Sequence, residues 1–269
     1  MIGDALNAAV DAMAAAGVRT PRLDAELLLA DASGSDRAFL ATHPEAEIPP
    51  PAARRFGEMV RRRLRREPVA YILGHKGFRH LELAVDPRVL IPRPETELLV
   101  ELALELKPGR VLDVGTGSGA IALALAAELR ACEVIATDTS SKALEVARAN
   151  AKRLGLARVE FVEGTLPSGG AEFDLALANL PYVSEADWGG LEAEVTEWEP
   201  REALLAGGDG LDALRGAIPD LSESAPVVGL EVGAGQAAAV GKLLVDAGFA
   251  SIEVRSDLAG IERVVVGRR

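Results

Sequence analysis

Asn179-Leu180-Pro181-Tyr182 places an amide, a constrained backbone and an aromatic ring at the end of the apolar run Phe173–Ala178. That combination suits a planar, conjugated nitrogen, whose delocalised lone pair makes it a poor nucleophile. The Asn179 side-chain oxygen can accept one N–H of such a group and the Leu180 carbonyl the other. With both hydrogens held, the lone pair is aimed at an electrophile. Tyr182 can stack on the planar group. A site of this kind works mainly by positioning, which supplies on the order of 7–11 kcal/mol. Without chemistry, the same residues are a strand-to-loop turn with an aromatic plug.

A second group identifies the electrophile. Asp113-Val114-Gly115-Thr116-Gly117-Ser118-Gly119 reads as the end of a buried strand and a glycine turn, followed by a helix from about Ala120 to Leu129. The glycines let the backbone approach a ligand closely, and the helix aims free N–H groups at the turn. A nicotinamide dinucleotide calls for G-x-G-x-x-G, whereas the spacing here is G-x-G-x-G. Asp113 puts a carboxylate where a pyrophosphate would otherwise sit; it repels an anion but suits ammonium and sulfonium charges. Asp138 follows at the end of the next apolar run, Glu133–Thr137, where a carboxylate can accept both hydroxyls of a ribose. The set favours S-adenosylmethionine. A sulfonium leaving group becomes neutral on transfer, so the reaction requires no metal.

The elements that must position these groups alternate from Gly109 onward. Strands are expected near 110–114, 133–137, 158–162, 173–178, 226–232, 250–255 and 262–267. Helices are expected near 120–129, 140–154, 210–220 and 235–247. This order calls for a mostly parallel α/β sheet covered on both faces, with the last two strands as an antiparallel edge hairpin. Upstream, residues 1–72 carry helical periodicity. Gly17 is a C-cap, Thr20-Pro21 a helix start, and Ala52–Arg66 the last long helix. Tyr71–Val89 alternates as a β-hairpin with Asp86-Pro87 as its turn. Ile91-Pro92-Arg93-Pro94-Glu95-Thr96-Glu97 is an extended, proline-locked segment leading into the helix Glu97–Leu106. The expected domains are 1–72 (helical, substrate-docking), 73–91 (hairpin linker) and 92–269 (methyltransferase).

Bulk properties narrow the class. Residues 1–80 carry 12 Lys/Arg against 10 Asp/Glu, whereas the remainder carries 17 against 31. So acidic a C-terminal part is a poor general binder of phosphate backbones, and no direct nucleic-acid substrate is expected. Arg54, Arg55, Arg61, Arg62, Arg63, Arg65 and Arg66 form either a solvated helix face or a docking surface for an acidic macromolecule. The sequence has no charged-then-apolar leader. No apolar run approaches the roughly 20 residues that span a bilayer. The lone Cys132 cannot form an internal disulfide and fits a small core residue. A cytoplasmic monomer with no membrane partner is expected.

The chain resembles the HemK/PrmC family, the protein-(glutamine-N5) methyltransferases of peptide-chain release factors. The resemblance spans nearly the whole sequence. It rests on the Ile91–Glu97 run, on Asp113–Leu125, Asp138-Thr139-Ser140 and Asn179–Tyr182, and on Glu199-Pro200 with Ala203-Leu204. Gly207–Leu211, Glu231 and Gln236 complete it. It implies a Rossmann-like class I methyltransferase sheet with a small helical N-terminal domain and a β-hairpin linker. It implies S-adenosylmethionine bound by Gly115, Thr116, Gly117, Ser118, Gly119, Asp138, Gly164 and Asn179. It also implies that Asn179, Leu180, Pro181 and Tyr182, with Arg93 and Glu95, grip the glutamine of the Gly-Gly-Gln motif of class 1 release factors. The family usually has Asn-Pro-Pro-Tyr. Leu180 keeps the carbonyl but adds an N–H and loses the ring's rigidity. Asn-Leu-Pro-Tyr also resembles the motif of ribosomal-RNA adenine dimethyltransferases, so an rRNA adenine N6-methyltransferase is the alternative. A non-catalytic module that binds S-adenosylmethionine is a further one.

Overall fold

The structure, a computed structural model, describes residues 1–166 and 172–269. The chain packs as two units, Met1–His75 with Glu192–Trp198, and Lys76–Leu191 with Glu199–Arg269. The expected 92–269 domain is therefore interrupted, since seven of its residues pack with the N-terminal helices.

The first unit contains α1 (Ile2–Ala15), α2 (Pro21–Ser33), α3 (Arg37–Thr42), α4 (Pro50–Leu64) and α5 (Val69–Leu73). Gly17 takes φ +76° just beyond α1, and Pro21 opens α2. The core gathers Leu6, Met13, Leu28, Leu29, Leu40 and Phe56. The inner face of α4 runs Ala52, Phe56, Met59 and Arg63 at helical spacing, so an arginine occupies the fourth core position. Its burial is possible because it is paired. Arg63 donates to Asp24 at 2.7 Å and to Glu194 at 2.6 Å, and Arg66 also binds Glu194. Glu194 lies on the single turn Ala193–Thr196. The basic face is thus divided. Arg55 pairs with Asp31 and Arg62 with Glu67, while Arg54, Arg61 and Arg65 are exposed with no ion pair among the described residues.

A hairpin follows, β1 (His75–Phe78), whose residues from Lys76 on belong to the second unit, and β2 (Leu81–Ala84). Its turn is Arg79-His80, not Asp86-Pro87, and Tyr71 remains helical. Tertiary partners override turn propensity here. Arg79 adopts φ +53°, gives its N–H to Glu97 at 3.0 Å and pairs its guanidinium with Glu128 at 2.8 Å. Asp86 closes a smaller local turn by accepting the Arg88 N–H at 3.0 Å.

α6 (Glu97–Leu106) leads into the sheet. It comprises β3 (Arg110–Val114), β4 (Glu133–Asp138), β5 (Glu160–Glu163), β6 (Leu175–Ala178), β7 (Val227–Glu231), β8 (Ser251–Ser256) and β9 (Glu262–Arg268). The order is β5-β4-β3-β6-β7-β9-β8, parallel except for β9, which runs antiparallel to both neighbours. The mostly parallel sheet with an antiparallel edge hairpin is as expected. Alternation along the strands sends Val111, Val134, Ala136, Leu175 and Leu177 to one face, with α6 and α7 (Ala120–Glu128). Leu112, Ile135, Ala176, Val228 and Leu230 go to the other, with α9 (Asp212–Ser224) and α10 (Ala237–Asp246). α8 (Ser141–Leu154) follows β4. No helix among the described residues is long and apolar enough to cross a membrane.

Candidate active site

Strand order reverses between β3 and β6, and an open α/β sheet gathers ligands at such a point, beyond the carboxyl ends of its strands. The register determines which residues meet there. Val114 aligns with Thr137 and with Ala178, and Ala178 with Leu230. The next residue of each strand is therefore Gly115, Asp138, Asn179 and Glu231. A cleft opens there, lined by Gly115, Thr116, Gly117, Ser118, Asp138, Gly164, Asn179, Leu180, Pro181 and Arg93, among others.

The glycine loop is held from beneath. Gly115 and Thr116 both donate to the Thr137 carbonyl at 2.9 Å. Gly115 has φ +74°, and a Cβ there would lie 2.9 Å from Leu180 Cδ2. A Cβ on Gly117 would meet nothing within 4 Å, so this glycine faces open space. Gly119 does not line the cleft; a Cβ there would strike Leu123 at 2.9 Å, which makes it a packing glycine at the start of α7.

Asp113 departs from expectation. Its carboxyl is fully buried and does not line the cleft. Oδ2 accepts from the Thr116 hydroxyl at 2.6 Å and from the Ala122 N–H at 3.1 Å, tying the loop to the first turn of α7. Oδ1 has no partner among the described residues. Burial pushes this carboxyl up to about 7, against the two hydrogen bonds. It organises the loop from inside and presents no charge to the ligand surface. Asp138 does line the cleft. Its Oδ2 accepts from Gly117 N–H at 2.9 Å and its Oδ1 from Ser140 N–H at 2.8 Å. Each oxygen keeps a lone pair for a ligand hydroxyl. Burial raises this carboxyl too, offset in part by the two backbone donors. Gly164, at φ +130°, donates to the Asp138 carbonyl at 2.9 Å and lines the same wall.

Across the cleft, Asn179 donates its Nδ2 to Thr96 Oγ1 at 3.0 Å, leaving Oδ1 as its acceptor. The Leu180 side chain packs over Gly115. Tyr182 is not a wall of the cleft; its ring packs against Gly233 and its hydroxyl points to Glu231 Oε1 at 3.5 Å. Burial and the neighbouring Glu231 push the tyrosine up to about 12. Arg93 is bound to the buried carboxylate of Glu199, whose other oxygen accepts the Ile91 N–H at 3.0 Å. Glu95 is half-buried and does not line the cleft.

Several supporting residues escaped assignment from sequence. Gln236 accepts from Gly233 N–H at 2.8 Å and donates to the Tyr182 carbonyl at 2.9 Å, clamping two loops together. Gly210 is required beside it, because a Cβ there would fall 2.3 Å from the Tyr182 carbonyl oxygen. Thr96 is the residue before α6, yet its side chain makes no capping bond to the helix. It serves Asn179 instead. Glu231, Gln236 and the Gly207–Leu211 run were visible only as parts of motifs. The local signal for Thr96 was a helix start.

The N-terminal unit matches the family model described as PrmC N-terminal domain over residues 4–74, and residues 111–198 match a methyltransferase domain model. The release factor glutamine methyltransferase of Koribacter versatilis is 42% identical over 98% of this chain and 97% of its own. That of Xylella fastidiosa strain Temecula1 is 44% identical, over 95% of this chain and 96% of its own. Among solved structures, the hMettl16 catalytic domain in complex with an RNA hairpin of the MAT2A 3′UTR superposes with a TM-score of 0.57 at 16% identity. It covers 69% of this chain and 74% of its own, a likeness of fold. With relatives so similar over nearly its full length, the chain belongs to the release factor glutamine methyltransferase family.

Proposed function

We propose that this protein transfers a methyl group from S-adenosylmethionine to the side-chain amide nitrogen, N5, of the glutamine in the Gly-Gly-Gln motif of class 1 release factors. The observation that carries the reading is the juxtaposition of Asn179 with the glycine loop across one cleft, in a chain whose relatives bear that name. The cleft fits the cofactor by its chemistry. Gly117 leaves backbone open to a ligand, and Asp138 offers two acceptor oxygens where a ribose would lie. When bound, S-adenosylmethionine supplies an activated methyl group.

The protein's own part is orientation. Asn179 Oδ1 accepts one N–H of the glutamine amide, while its Nδ2 is occupied by Thr96. The Leu180 carbonyl, which takes no backbone hydrogen bond among the described residues, accepts the other. The amide is thereby turned so that its lone pair lies in line with the methyl group. Leu180 and Pro181 line the acceptor side of the cleft, with Arg93 held beside them by Glu199. Tyr182 supports this arrangement from behind rather than by stacking.

Labelled cofactor incubated separately with release factor, with a release factor whose motif glutamine is replaced, and with rRNA tests the reading. Label is expected on the intact release factor alone. Label on rRNA, or on the factor lacking the glutamine, overturns it. Asn179→Ala is expected to lower kcat by about tenfold or more with little change in cofactor affinity. Turnover at the wild-type level removes Asn179 from the mechanism.

A further inference from the structure

Asn179 can lie in its site in two ways, related by exchange of its oxygen and nitrogen, and only one presents an acceptor to an amide substrate. What selects that orientation lies behind it. Thr96 Oγ1 accepts from Asn179 Nδ2 at 3.0 Å. An amide nitrogen cannot accept, so the single Thr96 proton must be directed elsewhere. The group on that side is Glu231, which ends β7 next to Asn179 in register and is 1% exposed. The Tyr182 hydroxyl lies 3.5 Å from its Oε1, Oε2 has no partner among the described residues, and the Thr96 hydroxyl is the neighbour that most strongly favours its ionised form.

We propose that Glu231, acting through Thr96, is a positioning residue that fixes the direction of the Asn179 amide and so keeps its oxygen turned toward the substrate. The proposal rests on the reading of the site given above. Ionised Glu231 accepts the Thr96 proton, Thr96 can then only accept from Asn179, and Oδ1 faces the cleft. Protonated Glu231 instead donates to Thr96. The Thr96 proton becomes available to the Asn179 oxygen, the amide turns over, and an NH₂ group meets the N–H groups of the substrate. The active form is therefore the ionised one. Burial raises the Glu231 carboxyl to about 7, assisted by Glu95, while Thr96, Arg263 and Tyr182 pull it down. Among the charged and titratable groups, Glu95, Arg263 and Tyr182 act on it most strongly.

The test is the pH profile of kcat for glutamine methylation, with cofactor binding measured in parallel by calorimetry. In the wild type, kcat should rise with pH through a limb near neutrality. Glu231→Gln has an NH₂ that donates to Thr96 at every pH. It should lower kcat about tenfold and abolish the limb while leaving cofactor affinity in place. Thr96→Val should lower kcat to a similar degree, and Thr96→Ser, which keeps the hydroxyl, should recover most of it. Thr96→Val with wild-type kcat, an unchanged limb in Glu231→Gln, or equal losses in Thr96→Val and Thr96→Ser each overturn the proposal. Failure of the wild type to methylate the release factor overturns instead the underlying reading of the site.

Discussion

At the scale of single residues, the cleft depends on pairs that could not both be otherwise. Gly115 and Leu180 are one. A Cβ on Gly115 would lie 2.9 Å from a Leu180 methyl, and φ +74° is costly for any L side chain. Gly115→Ala should weaken cofactor binding about tenfold by titration calorimetry, through roughly 1–2 kcal/mol of backbone strain together with the contact. Adding Leu180→Ala relieves the contact but not the strain, so the double variant should remain weaker than the wild type. Full recovery would show that the conformation of Gly115 is immaterial. Asp113 carries a different signature. Its carboxyl titrates at about 7 when folded, above the usual 3.8. The stability it contributes is complete below the unfolded value and is lost as pH rises through the folded one. Asp113→Asn should flatten the fall in Tm between about pH 4 and pH 7 seen by calorimetry. An identical profile in the variant would mean that Asp113 does not titrate in this window.

At the scale of elements, one buried side chain joins three of them. Asn150 on α8 accepts the Ala84 N–H at 2.7 Å and donates to the Ala84 carbonyl and the Ser118 carbonyl, each at 3.0 Å. It thereby fastens β2 of the hairpin to the glycine loop. Asn150→Ala strands three backbone groups and should destabilise the protein by about 2–4 kcal/mol in urea melts. It should also weaken cofactor binding, because Ser118 belongs to the cleft wall. A loss under about 0.5 kcal/mol, the range of ordinary surface substitutions, would show that water replaces the clamp. The N-terminal unit has its own fastening in the buried group Asp24, Arg63, Glu194 and Arg66.

At the scale of the whole molecule, charge is divided between a near-balanced N-terminal stretch and a strongly acidic remainder. The arginines on α4 and just beyond its end do not act as one patch. Arg55, Arg62, Arg63 and Arg66 are paired with carboxylates of their own unit, which leaves Arg54, Arg61 and Arg65 exposed and without an ion pair among the described residues. Docking of an acidic partner would rest on these three. Reversing them to glutamate should raise KM for whole release factor several-fold at low salt, leave kcat unchanged, and lose its effect as salt screens the charges. An unchanged KM removes this face from recognition.

Much of this was legible in the sequence, for reasons that are local. Strand–turn–helix alternation, glycine at positions of positive φ and proline at helix starts are fixed by backbone sterics within a few residues. The sheet, its antiparallel hairpin and the loop from Gly115 to Ser118 could therefore be read directly. The place of Asn179, at the end of a strand and in the cleft wall, could be read from the apolar run before it. What only the tertiary structure decided is which way buried polar groups point. Asp113 turned inward to the start of α7, Tyr182 turned from the cleft to Glu231, and Arg63 became part of a core. The hairpin turned at Arg79 because Glu97 and Glu128 were there to bind it. Thr96 is the clearest case. By sequence it is a helix start; by structure its hydroxyl holds the amide of Asn179, 83 residues away. Such choices depend on hydrogen-bond partners that the register of parallel strands brings together, and no local pattern encodes them.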